Sequence, residues 1–76
     1  MPLMPVQEDT IRICINGAHQ EIPKGTTLES LIAQFRLQKK TVVVEHNRQV
    51  ADKSTYALME LKENDQVEIV HFVGGG

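Results

Sequence analysis

One cysteine, Cys14, stands alone in a chain of 76 residues, so no internal disulfide can form and the chain does not read as a cross-linked secreted domain. The same count excludes a four-thiolate iron–sulfur centre. His19, His46 and His71 show none of the close Cys/His spacing of a zinc site, and no metal is expected. There is no run of Lys or Arg, and the net charge is -2. A nucleic-acid partner normally leaves a basic footprint, so none is expected, and a partner with a basic surface is the modest inference. No apolar run approaches the length of a membrane span. The first residues lack the basic and apolar regions of a signal peptide. The expectation is therefore a cytoplasmic chain with no membrane contact. No nucleophile elbow or phosphate loop is present, and Glu29, Glu60, Glu63 and Asp65 form no obvious acid/base pair. A chain this short buries only about 60% of its surface, which leaves no room for a deep cleft between lobes. These absences point away from an enzyme.

What is present is a foldable pattern. The hydrophobic fraction of 41% and the charged fraction of 24% are those of an ordinary globular chain, which excludes disorder throughout. Residues 1–9 contain Pro2 and Pro5 without a period and read as a flexible extension, followed by a domain over 10–73 and a flexible glycine tail over 74–76. Ile11, Ile13 and Ile15 alternate with Arg12 and Cys14, the period of a half-buried strand. Asn16-Gly17 then suits a two-residue type I′ turn, in which both central residues need positive φ. Ala18 to Ile22 returns as a second strand that Pro23 ends. Thr26, with Glu29 three places on, forms a capping-box pattern. Leu28, Leu31, Ile32 and Phe35 follow at helical spacing as one apolar stripe.

Val42, Val43 and Val44 open a third strand, which Asn47-Arg48 ends with turn chemistry. Gln49 to Ala51 is long enough for a short fourth strand. Ser54 to Met59 reads as a single helical turn, with Tyr56, Leu58 and Leu61 closing the core. Lys62 to Asp65 is a polar turn leading to a last strand, in which Val67, Ile69, His71 and Val73 share one face and Glu68, Val70 and Phe72 the other. Hairpin, helix, two short strands and a final strand make the element order of a ubiquitin-like β-grasp. This α+β fold packs a mixed sheet of four to five strands on one main helix. Its last strand lies parallel to its first, because the helix-containing crossover permits a parallel return. One helix covers only one sheet face, so Val43, Val70 and Phe72 gather on the other as a candidate partner-binding patch. Cover by neighbouring side chains is the competing reading.

Gly74, Gly75 and Gly76 continue directly from that last strand. Without Cβ atoms they can lie against a wall that any other residue would clash with, and three extended residues reach about 10 Å into a narrow slot. A terminal carboxylate has a pKa of about 3.3–3.7, so it is ionised at neutral pH and is a poor electrophile until activated. A flexible linker or a cloning remnant would have the same composition.

Three stretches carry a resemblance: Asn16-Gly17, then Val44-Glu45-His46-Asn47, and above all Asp65-Gln66-Val67-Glu68-Ile69-Val70-His71-Phe72-Val73-Gly74-Gly75-Gly76. Together, over residues 10–76, they resemble the sulfur carriers of thiamine biosynthesis, a ubiquitin-like family. The N-terminal extension and the third terminal glycine depart from the compact members that end in two. The resemblance implies a protein cosubstrate, with no cofactor of its own and no catalytic residue. An E1-like adenylyltransferase would use ATP and Mg to convert the Gly76 carboxylate to an acyl adenylate. A sulfur donor fed by a cysteine desulfurase would displace AMP to leave a thiocarboxylate, and thiazole synthase would take the sulfur. Gly75 and Gly76 carry over as the essential pair and Gly74 as added reach. A carrier of the molybdopterin or tRNA-thiolation type, and a non-covalent ubiquitin-like interaction module, remain the alternatives.

Two further candidates read as structural. Cys14 sits mid-strand with no Lys, His or helix N-terminus beside it in the sequence to lower its pKa, and Arg12 is its nearest cation. His46 and His71 can approach across neighbouring strands, but two histidines make no metal site.

Overall fold

The computed structural model describes residues 9–72. The tail glycines, Val73 and all of the N-terminal extension except Asp9 lie outside that range.

Strand β1 is Thr10–Ile15 and β2 is Ala18–Pro23, paired antiparallel with Ile15 opposite Ala18. The reversal has positive φ at Asn16 (50°) and Gly17 (86°), as the Asn-Gly pair predicts. Helix α1, Leu28–Gln34, crosses the sheet. A 3-10 turn over Lys39–Thr41 leads into β3, Val42–His46. Asn47 (φ 52°) and Arg48 (φ 73°) then reverse the chain into β4, Gln49–Val50. A second 3-10 turn, Lys53–Thr55, precedes β5, Gln66–His71. The sheet order is β2-β1-β5-β3-β4. β5 runs parallel to β1 and antiparallel to β3, so the last strand occupies the centre of a five-stranded mixed sheet under one helix. This is the β-grasp arrangement.

Ile11, Ile13 and Ile15 of β1, Ile22 of β2, Val42 and Val44 of β3 and Val67 of β5 present one buried sheet face. Leu28, Leu31 and Ile32 of α1 pack on it, and Tyr56 and Leu61 close the end. Each side chain of this size stabilises the fold by about 1.5–3 kcal/mol relative to its exposed state, so the core's twelve buried apolar residues hold the sheet as one body.

Three sequence expectations are corrected. The helix cap is Thr27 with Ser30, not Thr26 with Glu29: Thr27 Oγ1 accepts the Ser30 N–H at 3.1 Å, and Ser30 Oγ accepts the Thr27 N–H at 2.9 Å. Thr26 is buried instead, its hydroxyl donating to the Pro23 carbonyl and its own carbonyl accepting from Leu61 N–H. Phe35 does not join the core stripe. The helix stops at Gln34, Arg36 takes the left-handed conformation (φ 61°), and Leu37 packs against the core while Phe35 is left half-exposed. Leu58 is 83% exposed. A tight turn of about three residues places positions i and i+3 together, which turns Tyr56 and Met59 inward and Leu58 outward.

Candidate functional site

β5 is the element that carries the chain toward the glycine tail, and the structure holds it from both sides. β1 ends at Ile15, so the flank of β5 beyond Val67 has no strand to pair with. Asn16 fills that gap with its side chain: Oδ1 accepts the Ile69 N–H at 2.8 Å and Nδ2 donates to the Ile69 carbonyl at 3.4 Å. Asn47, in the β3–β4 turn, does the same at the start of β5. Its Oδ1 accepts the Gln66 N–H at 2.9 Å, and its N–H donates to the Gln66 carbonyl at 2.7 Å. Further on, Val42 pairs with His71, and the Phe72 N–H donates to the Thr41 carbonyl at 2.8 Å. The chain is thus fixed as far as Phe72, the last described residue before the tail.

Asp65, just before β5, is buried and serves as a hub. Its carboxylate accepts from His46 Nε2 at 2.8 Å, from the Lys62 N–H at 2.8 Å and from Asn47 Nδ2 at 3.1 Å. Burial pushes its pKa up, but the hydrogen bonds from His46, Lys62 and Asn47 outweigh that and hold the carboxyl below its ordinary value. His46 is therefore Asp65's partner and does not meet His71. In the β3–β5 register His46 faces Val67, while His71 faces Val42 at the other end of the ladder.

The sheet face away from α1 carries the predicted patch. Val43 lies directly opposite Val70. Val43 is half-buried, while Val70 is 55% and Phe72 57% exposed. Cover by neighbouring side chains is thus not what happens at Val70 and Phe72. One rung back from the valines, Glu45 lies directly opposite Glu68 on the same face, and Val50 of β4 pairs with Glu45 at the rim. Cys14 is half-buried, as a mid-strand residue should be. Its cross-strand neighbour is His19, a histidine that lies close through the hairpin register and not through sequence adjacency.

Gly74, Gly75 and Gly76 lie outside the described residues; what the structure describes is the platform they leave from. Among the described residues no group of three or more His, Cys, Asp or Glu could hold a metal ion, and no helix is long and apolar enough to cross a membrane.

Turn chemistry accounts for the backbone angles of Asn16 and Asn47 but not for their side-chain bonds to β5. Each Asn follows a strand that ends opposite Val67 of β5, a register that local sequence does not carry. In the sequence Asp65 reads as part of a polar turn. Its position immediately ahead of an apolar strand is the only hint of burial.

Comparison with known proteins places this architecture. The model of the ThiS family matches residues 9–76. The chain is 43% identical over 63 residues to the sulfur carrier protein ThiS of Bacillus subtilis, covering 82% of this chain and 96% of that one. It is 41% identical over 66 residues to a thiazole synthase of Magnetococcus marinus, covering 87% of this chain but only 20% of the synthase. The chain thus spans about a fifth of that relative's length. Among solved structures, the crystal structure of the thiamine biosynthesis protein ThiS from Geobacter metallireducens superposes with a TM-score of 0.73 at 25% identity, covering 87% of this chain and all of that one.

Proposed function

This chain belongs to the ThiS family, the sulfur carriers of thiamine biosynthesis, and we propose that it carries sulfur as a thiocarboxylate on Gly76. It is a small carrier protein and not a catalyst. The observation that carries the proposal is that the family match runs through residue 76, the last glycine, on a strand clasped as far as Phe72.

The chemistry follows from the state of the carboxylate. As an anion it repels nucleophiles, so an E1-like adenylyltransferase first joins a Gly76 carboxylate oxygen to the α-phosphorus of ATP, with Mg, and pyrophosphate leaves. A protein persulfide charged by a cysteine desulfurase then attacks the acyl carbon with its terminal sulfur, AMP leaves with the oxygen, and a second thiol cleaves the resulting acyl disulfide, forming a new disulfide and releasing the thiocarboxylate. Sulfur has replaced one oxygen of Gly76. Gly74, Gly75 and Gly76 cross the partner's slot because no Cβ narrows their passage. The adenylyltransferase is held by the apolar patch of Val43, Val70 and Phe72.

Thiazole synthase is the acceptor, in the cytoplasm. What supports it is that a fifth of a protein named thiazole synthase is similar to this chain. A carrier of the molybdopterin type would share the fold and the tail, so the test is the acceptor. Carrier charged with labelled sulfur is offered separately to thiazole synthase and to the large subunit of molybdopterin synthase. Label passing to a small molecule only with thiazole synthase is the expected result. Transfer only with the molybdopterin subunit would overturn the assignment.

A further inference from the structure

We propose that Asn16 is a positioning residue for the charging reaction: by holding Ile69 on both backbone atoms it fixes the direction in which β5 delivers the Gly76 carboxylate, and the turnover of charging depends on it. The inference rests on the reading of Gly76 as the charged residue, and adds which side chain aims it.

β5 changes its neighbours partway along. At Gln66 and Val67 it lies between β1 and β3, but β1 ends at Ile15, so from Glu68 to His71 the only strand beside it is β3. The backbone bonds alternate between the two flanks. Gln66 turns its carbonyl to Asn47 and Phe72 its N–H to Thr41, both on the β3 side. Glu68 and Val70 therefore face β3 as well, and Val67, Ile69 and His71 face the flank that β1 has left. On that flank the Val67 carbonyl accepts the Asn16 N–H at 2.9 Å, and the Asn16 side chain takes both polar groups of Ile69. Among the described residues no strand pairs with His71 on that flank. Asn16 is thus the last hydrogen-bonded tie between β1 and the outgoing end of β5.

Without that tie the β3–β5 end is a two-stranded ribbon, which twists more than a wider sheet and is marginally stable alone. Ile69 packs against the core and so resists lifting, but apolar contact is non-directional, and the two hydrogen bonds set the angle. The lever is long: seven residues from Ile69 to Gly76 span at most about 25 Å, so a swing of about 5° at Ile69 moves the far end by about 2 Å. A misplacement of about 1 Å can cost about 100-fold in rate. Asn47 supplies the contrast. It is also a left-handed turn residue (φ 52°) whose side chain accepts a β5 N–H, at Gln66. Gln66 lies where β1 still flanks β5, opposite Cys14, so losing the Asn47 bond weakens the fold without freeing the outgoing end.

The test is carrier-dependent ATP–pyrophosphate exchange by the adenylating enzyme of the same organism, with wild type, Asn16→Gly, Asn16→Asp and Asn47→Gly, at a temperature where circular dichroism shows each folded. Asn16→Gly should lower kcat about ten-fold with KM unchanged, because the docking surface is intact and only the carboxylate is misplaced. Asn16→Asp keeps the turn and the acceptor for the Ile69 N–H, and its kcat should lie between. Asn47→Gly should keep the wild-type kcat. A merely structural role for Asn16 gives the opposite split: an unfolded fraction lowers the effective carrier concentration, which raises KM and leaves kcat alone. If wild type is charged while kcat stays unmoved in both Asn16 variants, or falls equally in Asn47→Gly, the positioning role is overturned and the carrier reading stands. If wild type supports no exchange and gains no sulfur, the carrier reading fails and the positioning role falls with it.

Discussion

The amide of Asn16 grips Ile69 on both backbone atoms, accepting its N–H at 2.8 Å and donating to its carbonyl at 3.4 Å. One side chain thereby stands in for a missing stretch of β1 and closes the flank of the strand that leads to the tail. The same residue has φ 50°, a left-handed conformation that Asn tolerates better than most.

These two roles of Asn16 can be separated. Asn16→Gly keeps the turn and loses the two hydrogen bonds, each worth about 0.5–1.5 kcal/mol net. Asn16→Ala loses them and adds a left-handed penalty of about 1–2 kcal/mol. Urea unfolding should rank wild type above Gly above Ala. Alanine no worse than glycine would contradict the strained turn.

Asp65 makes stability depend on acid. Its folded-state pKa lies below the ordinary value, so its contribution is complete above the unfolded aspartate value of about 3.9 and is lost as pH falls through the folded one. Asp65→Asn should be less stable at neutral pH by roughly 1–3 kcal/mol and should show a flatter stability curve below pH ~4 than wild type. Parallel acid limbs for the two proteins would count against the hub.

Tyr56 is wholly buried, and its hydroxyl has no hydrogen-bond partner among the described residues; the Val44 backbone is near it but out of bonding geometry. Burial holds the phenol above its ordinary pKa, so its share of stability is present below the unfolded tyrosine value of about 10 and is lost as pH rises through the folded one. Tyr56→Phe should leave Tm unchanged or raised at neutral pH and remove part of the alkaline loss. A clear drop in Tm would show that the hydroxyl is bonded.

The packing corrections make a matched pair of tests. Leu31→Ala, at a fully buried helix position, should cost about 2–5 kcal/mol. Leu58→Ser, at an exposed turn position, should stay within about 0.5 kcal/mol. Both are read by chemical denaturation.

These residues also show how far the sequence could be read. Alternation at Ile11, Ile13 and Ile15 and the Asn-Gly pair identify the hairpin without ambiguity, because period and turn chemistry are local. The parallel pairing of β5 with β1 follows from the order of the elements. The failures sit where a distant segment decides a local choice. Thr26 makes a good cap in isolation, but Leu61 claims its carbonyl, and the cap moves to Thr27. Phe35 fits the helical stripe, yet the chain turns left-handed at Arg36 and hands that place to Leu37. At the candidate site, strand alternation puts Val70 and Phe72 on the face away from the helix, and the structure adds that they are exposed. The Glu45–Glu68 rung was not legible, since it depends on the register between two strands far apart in sequence.

The central claim concerns a single atom at the end of the chain. Intact-mass spectrometry after incubation with ATP, Mg, the adenylating partner and a sulfur source tests it most directly, on the chain ending at Gly76 and on one with a residue appended. The account predicts a gain equal to the sulfur–oxygen mass difference, located on Gly76 by fragmentation, and no gain in the extended chain. An unchanged mass in the chain ending at Gly76, with the partner's activity confirmed on another carrier, would contradict it.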